Sequence, residues 1–121
     1  MAVTYLMSSE SNYKNMALEV ADGFIDKWRL NSDELYRSEI NSKLKLSGKN
    51  VIVVDDDEIL GNRIVKILTK LRSKVTYFSN SIEAYDVCNN WNADIILLDI
   101  RMPGINGFDI CKKLWSGVKN E

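Results

Sequence analysis

Hydrophobic and polar positions follow two different rhythms along this chain, and the change falls near residue 48. Before it, Tyr13, Ala17, Val20, Phe24 and Trp28 recur at steps of three or four, with Met16 and Ala21 beside them. That spacing is the apolar stripe of an amphipathic helix and predicts one over Ser11 to Arg29, with Gly23 as a weak point inside it. Asn31 and Ser32, followed by Asp33 and Glu34, form a helix start signal with acidic residues in the first turn. Leu35, Tyr36, Ile40 and Leu44 then give a second, narrower stripe. Residues 11–46 therefore read as a helical hairpin or a bent helix, with no strand signal from Met1 to Ser47. Ser47-Gly48 breaks the pattern and marks a boundary.

After the break, strands and helices alternate. Val51-Ile52-Val53-Val54 is a continuous β-branched run, as expected of a parallel strand buried on both faces. Glu58 to Leu71 carries Leu60, Ile64, Ile67, Leu68 and Leu71 on one helical face. Val75 to Phe78 reads as a strand and Ser81 to Trp91 as a helix capped by Ser79, Asn80 or Ser81. Ile95-Ile96-Leu97-Leu98 is a third buried strand. Pro103, Gly104 and Gly107 punctuate a loop, and a helix with Phe108, Ile110, Cys111, Leu114 and Trp115 follows. The order βαβαβα implies a parallel sheet with right-handed crossovers. The expected fold is α/β: a partial doubly wound, flavodoxin-like sheet of strand order 2-1-3 over residues 49–121, preceded by a helical region over 1–48.

Composition narrows the function. The net charge of −1 offers no field to attract nucleic acid or an anionic membrane surface. No apolar run is long enough to span a membrane, and Met1 to Ser9 has no basic start or long apolar stretch of the secretory kind. Cys88 and Cys111 lack metal-site or redox spacing and read as small buried hydrophobes in a reducing cytosol. Histidine is absent, which excludes imidazole ligands, His-assisted nucleophiles and a histidine phosphodonor within this chain.

The candidate chemistry is acidic. Asp55, Asp56 and Asp57 follow the first strand directly, and Asp99 follows the third. In a doubly wound sheet of order 2-1-3, both points lie at the carboxyl edge of neighbouring strands, where ligands bind. Carboxylates gathered there repel one another unless a cation neutralises them, and clustered oxygens suit a hard ion such as Mg²⁺. A carboxylate beside such an ion can attack a phosphoryl group. Asp57 reads as a cap or first-turn residue of the first helix. A lone Asp after a strand usually only closes a turn; two groups at one edge are a site.

These residues resemble a known family. Val53-Val54-Asp55-Asp56-Asp57-Glu58 is similar to the acidic opening of bacterial response-regulator receiver domains, and Leu97 to Phe108 resembles their phosphorylation-site loop. The spacing between the two motifs matches as well. The resemblance implies that Asp99 accepts a phosphoryl group from a sensor histidine kinase or phosphotransfer protein. It also implies that Asp55, Asp56 and Asp99 hold Mg²⁺, with the backbone carbonyl of Arg101 as a further ligand. Pro103 and Gly107 would shape the loop. Such a module is a cytoplasmic signalling protein rather than an enzyme.

One departure is large. Receiver domains continue through two more strands and two more helices, with a switch Ser or Thr after the fourth strand and a Lys after the fifth. This sequence stops just past the third helix, and no residue in it is matched to either position. The strand Ile95 to Leu98 would then lie at a bare sheet edge. The N-terminal helices, a second chain or further chain of a longer protein would cover it; the preferred reading is a homodimer with the N-terminal helices taking part. The alternative function is a non-phosphorylated interaction or dimerisation module. A phosphohydrolase would need a general acid and a substrate cap, neither of which the sequence offers.

Overall fold

The computed structural model describes residues 2–80, 82, 83, 86, 93–104 and 106–119. Its elements run β1 (Val3–Ser8), a short 3-10 turn (Ser11–Tyr13), α1 (Lys14–Val20), β2 (Gly23–Asp26), α2 (Lys27–Ser32), α3 (Glu34–Leu44), β3 (Asn50–Val54), α4 (Glu58–Lys70), β4 (Lys74–Phe78), β5 (Ile95–Asp99) and α5 (Gly107–Lys119). All five strands form one parallel sheet in the order β2-β1-β5-β3-β4.

From β3 onward the elements fall where the apolar rhythm places them, and β4-β3-β5 is the expected 2-1-3 arrangement. The helix expected over Ser81 to Trp91 lies mostly outside the described residues, as does Cys88. The central strands β3 and β5 bury both faces because each is sandwiched. Val51 and Val53 point into a core with Ile64 and Leu68 of α4 and with Leu30, Tyr36, Ile40 and Leu44 of α2 and α3. Ile52 and Val54 point into the opposite core with Ala17 of α1 and Ile110 and Cys111 of α5. This is a doubly wound α/β architecture with helices on both faces.

The N-terminal region corrects the sequence reading. Residues 3–8 and 23–26 are strands, so the helix expected over Ser11 to Arg29 shrinks to α1 and the region is not wholly helical. The stripe misleads because α1 ends at Val20 and the next residue, Ala21, is extended (φ −129°, ψ 168°), yet Phe24 continues the three-to-four spacing by chance. Gly23 is the visible trace of the break. A Cβ there would come within 2.4 Å of the Tyr5 ring on the paired strand, so the small residue admits the aromatic one. Trp28, read as part of the buried stripe, is 59% exposed. The second stripe holds better: Tyr36, Ile40 and Leu44 are buried, whereas Leu35 faces solvent. Asp33 caps α3 by accepting from the backbone N–H groups of Leu35 and Tyr36 at 3.0 and 3.2 Å.

The bare edge is also corrected. β1 lies against β5 in parallel register from Val3↔Ile95 to Met7↔Asp99, and β2 lies outside β1. The segments that complete the sheet thus come from the same chain, ahead of β3 rather than after α5. The covering is by strands, which satisfy the β5 backbone groups as helices laid across the edge would not.

Candidate phosphoacceptor and metal site

At the carboxyl edge, Asp55 follows the last residue of β3 and Asp99 is the last residue of β5. Both carboxylates are buried. Asp56, the next residue along, is exposed and completes a set in which one oxygen from each of Asp55, Asp56 and Asp99 lies within 4.8 Å of the others. The topology brings them together because β3 and β5 are immediate parallel neighbours, with Val54 opposite Leu98.

Local chemistry holds each group in place. Asp57 caps α4, accepting from the Leu60 N–H at 3.1 Å, and its own N–H donates to Asp55 Oδ1 at 2.9 Å. The Tyr77 hydroxyl donates to the Asp55 backbone carbonyl at 2.6 Å. Burial, with the nearby Asp55 second, pushes that phenol up to about 12, so it remains a donor at any physiological pH. On the Asp99 side, the Ile100 N–H donates to the Met7 carbonyl at 2.9 Å and the Gly107 N–H to the Ile100 carbonyl at 3.0 Å. Gly107 opens α5 so close to β5 that an added Cβ would sit 2.4 Å from the Asp99 carbonyl oxygen. Gly107→Ala is therefore expected to destabilise the fold by about 2 kcal/mol, since neither the strand end nor the helix start can yield cheaply. Urea unfolding measures this, and a loss near zero would mean that the loop is softer than the contact implies.

The residue that sequence reasoning missed is Lys27. It directly follows β2, is 5% exposed, and places Nζ 2.9 Å from Asp55 Oδ2 and 3.2 Å from Asp99 Oδ1. Burial pulls its pKa down, but the Asp99 and Asp55 carboxylates outweigh burial and hold it above the ordinary lysine value. Asp99 moves the other way from an ordinary carboxylate. Burial raises it first and repulsion from Asp55 second, against the pull of Lys27, to about 8. Ser8 is the second missed residue. It ends β1 opposite Asp26, is buried, and accepts from the Glu10 N–H at 3.0 Å through Oγ. The only sequence signal for either was their type, a Lys and a Ser after short apolar runs, and neither run is long enough to show a strand period.

Arg101 lies two residues beyond Asp99 with its guanidinium turned to Glu10 Oε1 at 2.8 Å, so its side chain is engaged away from the carboxylates. The three oxygens suit a small hard cation. Octahedral Mg²⁺ holds adjacent ligand oxygens about 3 Å apart and opposite ones about 4 Å apart, which a cluster this tight reaches with small side-chain shifts. The donors are all oxygen, and the negative charge left after pairing with Lys27 favours a divalent ion.

The family model of the response regulator receiver domain matches residues 51–119. The chain belongs to that family. Among curated relatives of this receiver domain are the sensory transduction protein RegX3 of Mycobacterium tuberculosis, 34% identical over 65 residues, covering 54% of this chain and 29% of RegX3. The transcriptional regulatory protein RstA of Escherichia coli is 36% identical over 70 residues, covering 55% and 29%. The positive alginate biosynthesis regulatory protein of Pseudomonas aeruginosa is 35% identical over 68 residues, covering 54% and 27%. The chain spans less than a third of the length of these relatives. No solved structure matches it. Among the described residues, no helix is long and apolar enough to cross a membrane.

The missing positions of the resemblance now have occupants. Counted across the sheet from β4 the strands run β4, β3, β5, β1, β2, so β1 and β2 stand where a receiver domain's fourth and fifth strands stand. Ser8 ends the fourth and Lys27 follows the fifth. The structure thus brings a serine and a lysine to the ends of these two strands, from positions ahead of Asp99 in sequence instead of behind it.

Proposed function

We propose that this receiver domain accepts a phosphoryl group on Asp99 from the phosphohistidine of a histidine kinase or phosphotransfer protein, as a cytoplasmic module of a two-component system. The observation that carries the reading is the buried pairing of Lys27 with both Asp55 and Asp99. It puts a fixed positive charge beside the attacking carboxylate, where a transferring phosphoryl group gathers negative charge. In this reading Asp55, Asp56 and Asp99 hold Mg²⁺, with the Arg101 backbone carbonyl as a further oxygen. The ion supplies charge neutralisation for the incoming group. Asp99 is the nucleophile through one carboxylate oxygen, forming an O–P bond as the P–N bond to the donor imidazole breaks. In this reading Lys27 orients and neutralises the phosphoryl oxygens, and the Ser8 hydroxyl at the end of β1 hydrogen-bonds the modified state. The chain is a phosphoacceptor rather than an enzyme with its own substrate. The alternative of a non-phosphorylated interaction module rested on an absent Lys and switch hydroxyl, and Lys27 and Ser8 remove that motive.

Incubation with acetyl phosphate and Mg²⁺ is expected to add one phosphoryl mass to the intact chain and none to Asp99→Asn. Labelling of the variant at the wild-type level would place the acceptor elsewhere. Metal binding should also depend on pH with a defined sign. Asp99 is raised to about 8, so at pH 7 it holds a proton that a cation must displace. Mg²⁺ affinity should therefore rise by up to about tenfold per pH unit as pH climbs toward 8 and level off above it. Titration calorimetry at pH 7 in buffers of different ionisation enthalpy would detect the released proton; a buffer-independent heat would mean that Asp99 is already ionised.

A further inference from the structure

We propose that Tyr77 is a positioning residue for the metal set, holding Asp56 in place through the peptide that joins Asp55 to Asp56. This rests on the metal reading above. Of the three carboxylates, Asp55 and Asp99 are buried and have Lys27 as a partner. Asp56 is exposed, and among the described residues no hydrogen bond or ion pair engages its carboxylate. Yet one of its oxygens lies within 4.8 Å of an oxygen of each of the other two. Its backbone therefore has to aim it. The ψ angle of Asp55 sets both where the Asp55 carbonyl points and where Asp56 begins, because the peptide between them is planar. The Tyr77 hydroxyl fixes that carbonyl, donating to it at 2.6 Å.

Two elements build this bond. β4 runs beside β3 with Val53 opposite Tyr77 and Val54 opposite Phe78. The Phe78 carbonyl accepts the Asp55 N–H at 3.0 Å, which holds the near side of Asp55. The Tyr77 hydroxyl reaches the far side, one carbonyl beyond the paired residues of β3. After Asp56, the chain is held by the Asp57 N–H on Asp55 Oδ1 and by the Asp57 cap on α4, neither of which ties it to the sheet. The second element is α4, where Gly61 supplies the room. Gly61 is buried, and a Cβ there would lie 2.7 Å from both Cε1 and the hydroxyl oxygen of Tyr77. Glycine weakens a helix interior relative to alanine, so helix propensity is given up where the phenol passes. Packing accounts for the ring, which a phenylalanine would fill as well. It does not account for the hydroxyl, whose hydrogen bond goes to the carbonyl that leads into Asp56.

Tyr77→Phe keeps the ring and removes only the donor, and two measurements read the result. In the first, Mn²⁺ is titrated into the full chain and the free ion is counted by electron paramagnetic resonance, Mn²⁺ sharing the oxygen preference of Mg²⁺. Tyr77→Phe is expected to weaken binding about tenfold, the scale of losing a group that orients a metal ligand. Asp56→Asn weakens binding by itself, and adding Tyr77→Phe to it should weaken it no further, because the two act through one carboxylate. An unchanged affinity in Tyr77→Phe, or the same loss in both backgrounds, overturns the proposal. The second measurement is nitrogen-15 relaxation of the metal-free chain. The Asp56 amide should lose order in Tyr77→Phe while Val53 within β3 stays rigid; an Asp56 amide as ordered as in wild type overturns the proposal. A tyrosine with only a packing role would shift the urea midpoint and leave both readings alone. Wild type that binds no Mn²⁺ would overturn the metal reading and leave the relaxation measurement to decide whether Tyr77 positions Asp56.

Discussion

Replacing Lys27 with alanine will destabilise the protein by about 3 kcal/mol or more in metal-free buffer, and millimolar Mg²⁺ will restore much of the loss. Lys27 is 5% exposed, and its ammonium lies within ion-pair distance of the buried carboxylates of both Asp55 and Asp99. Removing one member of a buried pair leaves its partner charged and dry, which costs about 3–5 kcal/mol. Asp99 limits the penalty by keeping a proton, since burial and Asp55 already hold it high. Asp55 Oδ2 loses the ammonium that lay 2.9 Å away, while its Oδ1 still accepts from the Asp57 N–H. A divalent ion held by Asp55, Asp56 and Asp99 would replace the lost charge. Urea unfolding with and without Mg²⁺ reads both effects. A loss under about 1 kcal/mol that does not respond to Mg²⁺ would mean that water reaches the carboxylates and the ion pair is a surface one.

Removal of residues 1–47 will abolish cooperative folding of the remainder, although the remainder contains the whole stretch that matches the family. β5 is fully buried between β1 and β3. Without β1 its outer edge presents a row of unpaired N–H and C=O groups on an apolar strand, Ile95 to Leu98, which is a template for aggregation. Both cores also lose a wall. Leu6 and Ala17 leave one, and Met7, Ile25, Leu30, Tyr36, Ile40 and Leu44 leave the other. Each large buried side chain removed from a core costs about 2–5 kcal/mol, against a total stability of about 5–15 kcal/mol for a domain of this size. Circular dichroism on heating should show a broad, featureless change and the truncated chain should sediment as aggregate. A sharp, reversible transition in the truncated chain would show that β1 and β2 are dispensable.

The site is partly legible in the sequence alone. Asp55, Asp56 and Asp99 are adjacent to strand signals strong enough to read, and parallel strands of order 2-1-3 bring those ends together. Asp57 declared itself as a helix cap through its position, and the structure places it as one. Lys27 and Ser8 were invisible because sequence distance ran the wrong way. A lysine 72 positions ahead of Asp99 meets it only because two short strands slot into the open edge. Nor did the apolar spacing show the strands themselves: Gly23–Asp26 is four residues long, too short for a period of two to outvote a helical stripe running through it.

The amino-acid order alone determined the βαβαβα register after residue 48, the doubly wound class and the meeting of three carboxylates, because long β-branched runs and amphipathic helices carry their periods in plain view. Only the tertiary structure decided what closes the sheet and which cation neutralises the pocket. A strand in the middle of a sheet is specified by the backbone groups of both neighbours, and those neighbours are chosen by the whole fold, not by any local run of residues.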